Sequence, residues 1–374
     1  MSSLLRSLRR PFASVAVGMA LAVGINTAQA GPVFLNGLPG MPKALPEHCS
    51  PLDDASPIIR SEFDGVVRQT LKDLKAYSRF PTLLEDARKA GIKVEAICPD
   101  FRDPSKGMAT YNEEYKAIMI NVADPTSEAP AAMHPEKIKF MTEQGYLSYT
   151  GEIISDLAMM TAANPQNPLF KPGHDFDTAM LLTTAMIANS MAEKLLFAAE
   201  AAAEDGRSND INNLYRKFPR LIGEVSDLHA LALAAKAQNR SLTDEERDGF
   251  RNVLLAKFLK DPIVRASSAQ MALEQIGQLT GEKMVNDRKA GRPMTDVEHK
   301  PATEVEITNL LDRYPGQQGL SEAVKNYHSF WRTQQEDPAT QFRQKLTLLP
   351  DYIRQQIEQR SRMPQAKPGL QFQF

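Results

Sequence analysis

The chain has 374 residues, 42% hydrophobic and 24% charged, an ordinary globular composition that excludes wholesale disorder and collagen-like repeats. Its 44 basic and 46 acidic residues nearly balance, leaving no electrostatic footprint for nucleic acid as a partner. Bulk composition thus assigns no function, and any reading must come from sites.

The first thirty residues have the layout of an export signal. Arg6, Arg9 and Arg10 supply a positive n-region, Phe12 to Ile25 an apolar stretch, and Ala28-Gln29-Ala30 a small-x-small cleavage site. We therefore expect a signal peptide over 1–30, cut after Ala30, and a periplasmic or secreted product. The apolar run is short for a membrane-spanning helix; left uncleaved, it would be an anchor with the same domain outside the inner membrane. Loss of three arginines and no acid takes the formal net charge from −2 to −5. No later run reaches membrane-spanning length, so the mature chain is expected to have no transmembrane helix.

Residues 31–56 carry Pro32, Pro39, Pro42, Pro46 and Pro51, which predicts an irregular leader rather than a helix. The cysteines are Cys49 and Cys98. An isolated pair in an oxidising compartment points to a bridge, worth about 4 kcal/mol for a loop of about fifty residues in the chain-entropy picture. The alternatives are two thiols or a metal site, but only His48 lies near either cysteine in sequence, which disfavours zinc.

From Ile59 the period becomes helical, with Phe63, Val66, Val67, Leu71 and Leu74 on one face. A second helix is predicted over 81–90, with Pro81 in its first turn and Gly91 past its end. Ile92 to Ile97 alternates apolar and polar, as a half-buried strand does. Met108 to Tyr111 and Ala117 to Asn121 are two further short strands. Everything after Pro135 reads helical: 137–163, 177–205, 209–218, 222–238, 243–259 and 263–279. Thr243 with Glu246 makes a capping box. Lesser helices follow at 304–313, 321–333 and 350–360. The expected fold is α+β, a small N-terminal antiparallel or mixed sheet packed on a large, mainly α-helical domain over 57–281. A polar linker, 282–303, and a helical C-terminal extension, 304–374, with a disordered end complete it.

The six histidines, His48, His134, His174, His229, His299 and His328, are never four apart, so H-E-x-x-H is absent. So are a G-x-S-x-G elbow, a phosphate-binding glycine loop and a dinucleotide fingerprint. His174-Asp175-x-Asp177 reads either as a divalent-metal cluster or as the polar N-cap of the long helix, and the cap is favoured by the strength of that preference. The helical methionines Met141, Met159, Met160, Met180, Met186 and Met191 are expected to fill the core.

One arrangement goes further. Helix, strand Ile92-Lys93-Val94, then Gly107-Met108-Ala109-Thr110-Tyr111-Asn112, a turn, Ala117-Ile118-Met119-Ile120-Asn121 and a long helix follow one another. This resembles the opening of bacterial zincin-like metallopeptidase domains, in families of unknown function. In those families a "G-x-Y … n-x-I-x-I" hairpin precedes a helix bearing H-E-x-x-H, and a second helix bears the third ligand in an E-A-D-A-like segment. The resemblance covers roughly residues 80–280. It sets Gly151 and Ser155 in the places of the two histidines and Glu152 in that of the general base. Ala192 takes the acidic ligand's place, with Glu193 beside it. H-E-x-x-H works because positions i and i+4 share a face, so two imidazoles hold one zinc whose water the glutamate activates. Glycine offers no ligand atom and serine a poor one. The expectation is a zincin-like scaffold without zinc, a pseudoenzyme with no cofactor and Glu152 as a remnant. It would bind a protein or peptide partner in a groove lined by Tyr111, Ile118 and Ile120, where an open strand edge could pair with an extended chain. Two other readings stand beside it: a hydrolase with distant ligands such as His174, Asp177 and His229, and a helical envelope interaction protein without enzymatic ancestry.

Overall fold

The computed structural model describes residues 49–52, 64–100, 109–112, 115–121, 150–161 without 152, 156 and 160, 173–206, 219–313 and 340–362. Residues 1–30, read above as an export signal, most of the expected leader, residues 137–149 of the predicted helix 137–163 and the predicted helices 209–218 and 321–333 lie outside the described residues.

The fold is α+β, with a small mixed sheet and a large helical body. Helix α1 (Asp64–Ala76) buries Leu71 and Leu74. Helix α2 (Phe80–Lys89) carries Pro81 in its first turn and buries Phe80, Leu83 and Ala87. These are spaced i, i+3, i+7, the signature of one buried face. It ends as predicted at Gly91, whose φ of +85° is left-handed and costs glycine nothing.

The sheet has strands β1 (Ser50–Pro51), β2 (Ala96–Asp100), β3 (Ala109–Asn112) and β4 (Ala117–Asn121) in the order β1-β2-β4-β3. β2 runs parallel to β4, and the outer pairs are antiparallel. Residues 92–95 keep the predicted alternation, with Ile92 and Val94 buried and Lys93 and Glu95 exposed. The ladder nevertheless starts only at Ala96, where Ala117 first lies alongside. Alternation reports a buried face; a strand also needs a partner at its edge. Ile97, Tyr111 and Ile118 join the main core. The other face, Ala96, Cys98 and Ala117, is covered from Cys49 through the Cys49–Cys98 disulfide.

The helical body is built around α3 (Phe176–Asp205), about 45 Å long at 1.5 Å per residue. Asp175 caps it, its carboxylate accepting from the Thr178 amide at 2.9 Å, and Gly206 closes it in the left-handed conformation. Around it pack α4 (Ile222–Ala237), α5 (Asp244–Phe258) and α6 (Pro262–Lys289). The Thr243–Glu246 capping box opens α5. Met159, Met180, Met186 and Met191 are buried core residues.

Two helix ends differ from expectation. α6 continues past Gly281 to Lys289 and stops at Gly291, φ +69°. Gly277 and Gly281 instead mark where α8 (Thr340–Arg362) lies close: a Cβ at Gly277 would stand 3.4 Å from Leu349, and one at Gly281 3.8 Å from Ile353. α8 also runs straight through Pro350, because burying Phe342, Leu349, Ile353 and Ile357 outweighs the local cost of the proline. Helix α7 (Glu304–Arg313) seats Ile307 and Leu311 in the same core. Among the described residues no helix is long and apolar enough to cross a membrane.

Candidate functional site

The places matched to the zinc motif lie where the 150–161 segment crosses α3. The described residues of that segment are helical, and Thr150, Gly151, Ile153, Ile154, Leu157, Ala158, Met159 and Thr161 are buried. Gly151 abuts Lys194: a Cβ added there would stand 3.1 Å from Lys194 Cγ. One turn on, the Ser155 and Ser190 hydroxyls are 2.7 Å apart, and Ser190 Oγ donates to the Ser155 carbonyl at 2.9 Å. Thus Gly151 and Ser155, four apart, meet Ser190 and Lys194, also four apart. Residues at that spacing share a helix face, and small side chains let two backbones approach. Glu152 lies outside the described residues.

The second motif segment serves a different purpose. Ala192 is fully buried in the core. Glu193, also fully buried, is the centre of an ion-pair cluster. Its Oε1 accepts from Arg251 of α5 and from Arg79, at 3.5 Å, in the corner between α1 and α2. Its Oε2 accepts from the Tyr77 phenol at 3.2 Å. Burial alone would push this carboxyl up, but the guanidiniums of Arg251 and Arg79 outweigh it and hold Glu193 below the usual carboxylate range. Burial, then Glu193 itself, push the Tyr77 phenol well above its ordinary value.

The cluster extends as a ladder between α3 and α5. Arg251 also donates to Asp248 at 2.6 Å, and Arg79 reaches Asp244 at 3.4 Å. One turn back on α5, Arg247 donates to Glu200 at 2.6 Å and to Ser78 at 3.3 Å. Burial raises the Glu200 carboxyl despite Arg247 beside it. The Tyr77 ring meets Phe197 edge to face, with centroids 5.4 Å apart.

Next to this ladder lies a cavity of about 350 Å³. Its walls come from the end of α1, the corner residues Tyr77 and Ser78, the C-terminal halves of α3 and α4, and the loop from Arg240 to Leu242. That volume is within the range of small-molecule sites.

The metal question can be put to the donor set. Zinc takes three or four nitrogen, sulfur or oxygen donors. Gly151 has none, Ser155 Oγ is held by Ser190, and the Glu193 carboxylate is occupied by two guanidiniums and a phenol. These residues do not fit a zinc ion. Among the described residues no three His, Cys, Asp or Glu side chains are placed to hold one metal, so His174, Asp177 and His229 form no such group. Asp175 is a helix cap, the His174 carbonyl lies 3.0 Å from His299 Nδ1, and His229 is half-buried on α4. The expected groove also needs correction. β4 is hydrogen-bonded on both sides, to β2 and β3, so neither Ile118 nor Ile120 stands on an open edge. Ile118 is a core residue, and buried Tyr111 donates its phenol to the Lys93 carbonyl at 2.8 Å.

Sequence reasoning missed the ladder and the cavity. A signal existed: α3 reads apolar on nearly every face, so it must be buried, and Glu193, Lys194 and Glu200 within it then require partners. Nothing local names Arg251, Arg247 or Arg79 as those partners. No protein-family model, no curated protein and no solved structure matches the chain.

Proposed function

We propose that this is an exported, non-catalytic binding protein, with the element order of a zincin-like domain and a protein or extended peptide as its partner. One observation carries the reading: both places of the motif histidines are spent on the crossing with α3, Gly151 against Lys194 and Ser155 against Ser190. Side chains engaged in this way maintain packing and leave no open coordination position, which a catalytic zinc requires. Export is supported by the Cys49–Cys98 disulfide, since such bonds persist in oxidising compartments. A peptide partner follows from the resemblance alone, in which an extended chain adds to the edge of the small sheet.

The test uses the full chain purified from an oxidising compartment, as wild type and as Glu152→Gln. The expected outcome is no stoichiometric zinc by elemental analysis and no chelator-sensitive peptide hydrolysis by either protein. One zinc per chain, with a hydrolytic activity that Glu152→Gln removes, overturns the proposal.

A further inference from the structure

Strand β2 is fastened in two unlike ways. On one side it lies parallel to β4 from the pair Ala96 and Ala117 to the pair Asp100 and Asn121, and Ile97 and Ile118 pack into the main core. On the other side it meets β1 at Ser50 opposite Ile97 and Pro51 opposite Ala96. A proline has no amide hydrogen to give to a ladder, and each remaining hydrogen bond is modest in net effect.

The short strand β1 is therefore held at its ends. At one end Leu52 is buried in the main core, and its amide donates to the Glu95 carbonyl at 3.0 Å. At the other, the Cys49–Cys98 disulfide joins two residues that the register sets opposite each other, one step beyond Ser50 and Ile97. The bridge belongs to a separate apolar cluster of Ala96, Cys98 and Ala117, against which Cys49, Tyr115 and Met119 pack. Cys98 is fully buried there and Cys49 is half-buried, so a thiol reaches the bridge from the Cys49 side.

We propose that the Cys49–Cys98 disulfide is a redox latch on the edge of the sheet. A dithiol reductant, small or protein, opens it. The chain from Cys49 to Pro51 then swings away from β2 about Leu52 and uncovers the edge from Ala96 to Cys98. One thiolate of the reductant attacks the Cys49 sulfur, and the Cys98 sulfur leaves and takes a proton. The second thiol displaces Cys49 from the mixed disulfide, leaving two cysteine thiols and a cyclic disulfide of the reductant. Both electrons and both hydrogens come from the dithiol. The uncovered edge presents backbone donors and acceptors that β1 had covered, while the core around α3 stays packed. The inference rests on neither the motif crossing nor the absence of catalysis.

The experiment is hydrogen exchange read by mass spectrometry on the full chain purified from an oxidising compartment. It compares the protein before and after dithiothreitol in native buffer, with far-ultraviolet circular dichroism in parallel. Reduction is expected to leave the helical signal unchanged. Exchange in 49–52 and 96–98 should quicken about tenfold or more, the factor made by losing local stability of the order of one hydrogen bond. Residues 179–199 of α3 should stay as protected as before, and reoxidation should restore the original pattern. Cys49→Ser should show the open pattern with no reductant, and the wild-type measurements decide the question even where that variant does not accumulate. A bridge that resists dithiothreitol until the helical signal is lost overturns the proposal. So does unchanged exchange in 49–52 and 96–98 after reduction, or an equal acceleration in α3.

Discussion

Along α3, residues 179–188 and residues 189–199 are buried alike, but they deal with their polar groups in different ways. In the first stretch Thr183 and Thr184 donate to the carbonyls of Ala179 and Met180 at 2.8 Å, one turn back in the same helix. In the second, Ser190 and Glu193 depend on Ser155, Arg251, Arg79 and Tyr77. The first stretch is therefore stabilised mainly by apolar burial of Met180, Leu182 and Met186. The second adds a requirement for matched partners brought from far along the chain. A buried ion pair contributes little net stability over an apolar pair, yet removing one partner is costly. The same degree of burial thus hides two different sensitivities.

The largest expected effect separates them. Arg251→Met leaves the Glu193 carboxylate buried with only Arg79 and Tyr77, and should cost about 3–5 kcal/mol in urea unfolding. The double variant Glu193→Met with Arg251→Met should recover most of that loss. If the double variant is as unstable as the single one, charge matching is not what distinguishes the second stretch. The acid dependence sharpens the point. Glu193 is held below its ordinary value, so its contribution is complete above about pH 4.5 and lost as pH falls through the depressed folded value. The gap between wild type and Arg251→Met should therefore narrow in acid.

Leu182→Ala, in the first stretch, should cost about 2–5 kcal/mol through lost burial and a residual cavity. Its gap to wild type should stay constant across the same pH range. A gap that narrows in acid as the arginine variant's does would break the comparison.

The smallest of the three effects concerns the crossing itself. Gly151→His should cost about 1–3 kcal/mol by overpacking against buried Lys194, read as a lower Tm. It should gain no zinc affinity, since Ser155 and Glu193 stay engaged. A Gly151→His variant as stable as wild type would show that the crossing is loose.

Much of the fold was legible because it rests on local chemistry. Asp175, Thr243 with Glu246, Gly91 and Gly206 ended their helices as capping rules require. The alternation from Ile92 faced the core as expected. The misreadings at Gly281 and Pro350 share one cause. Both residues interrupt helices in isolation, and here the packing of α8 on α6 overrides them: Gly281 makes room for Ile353, and Pro350 sits between Leu349 and Ile353, which are both buried. The motif places could be read only as lacking ligand atoms. That Gly151 and Ser155 contact Lys194 and Ser190 depends on the approach of two helices, which no local pattern encodes.

The sequence by itself determined the helices, their caps, the alternation of the short strands and the two sulfurs available for a bridge. Each follows from interactions among residues a few positions apart, or from the presence of a single pair of one residue type. The tertiary structure alone decided that Glu193 answers Arg251, that β4 lies inside the sheet, and that three helix ends surround one cavity. Those outcomes depend on which surfaces meet, and meeting is settled by the burial of the whole core rather than by any segment's own preference.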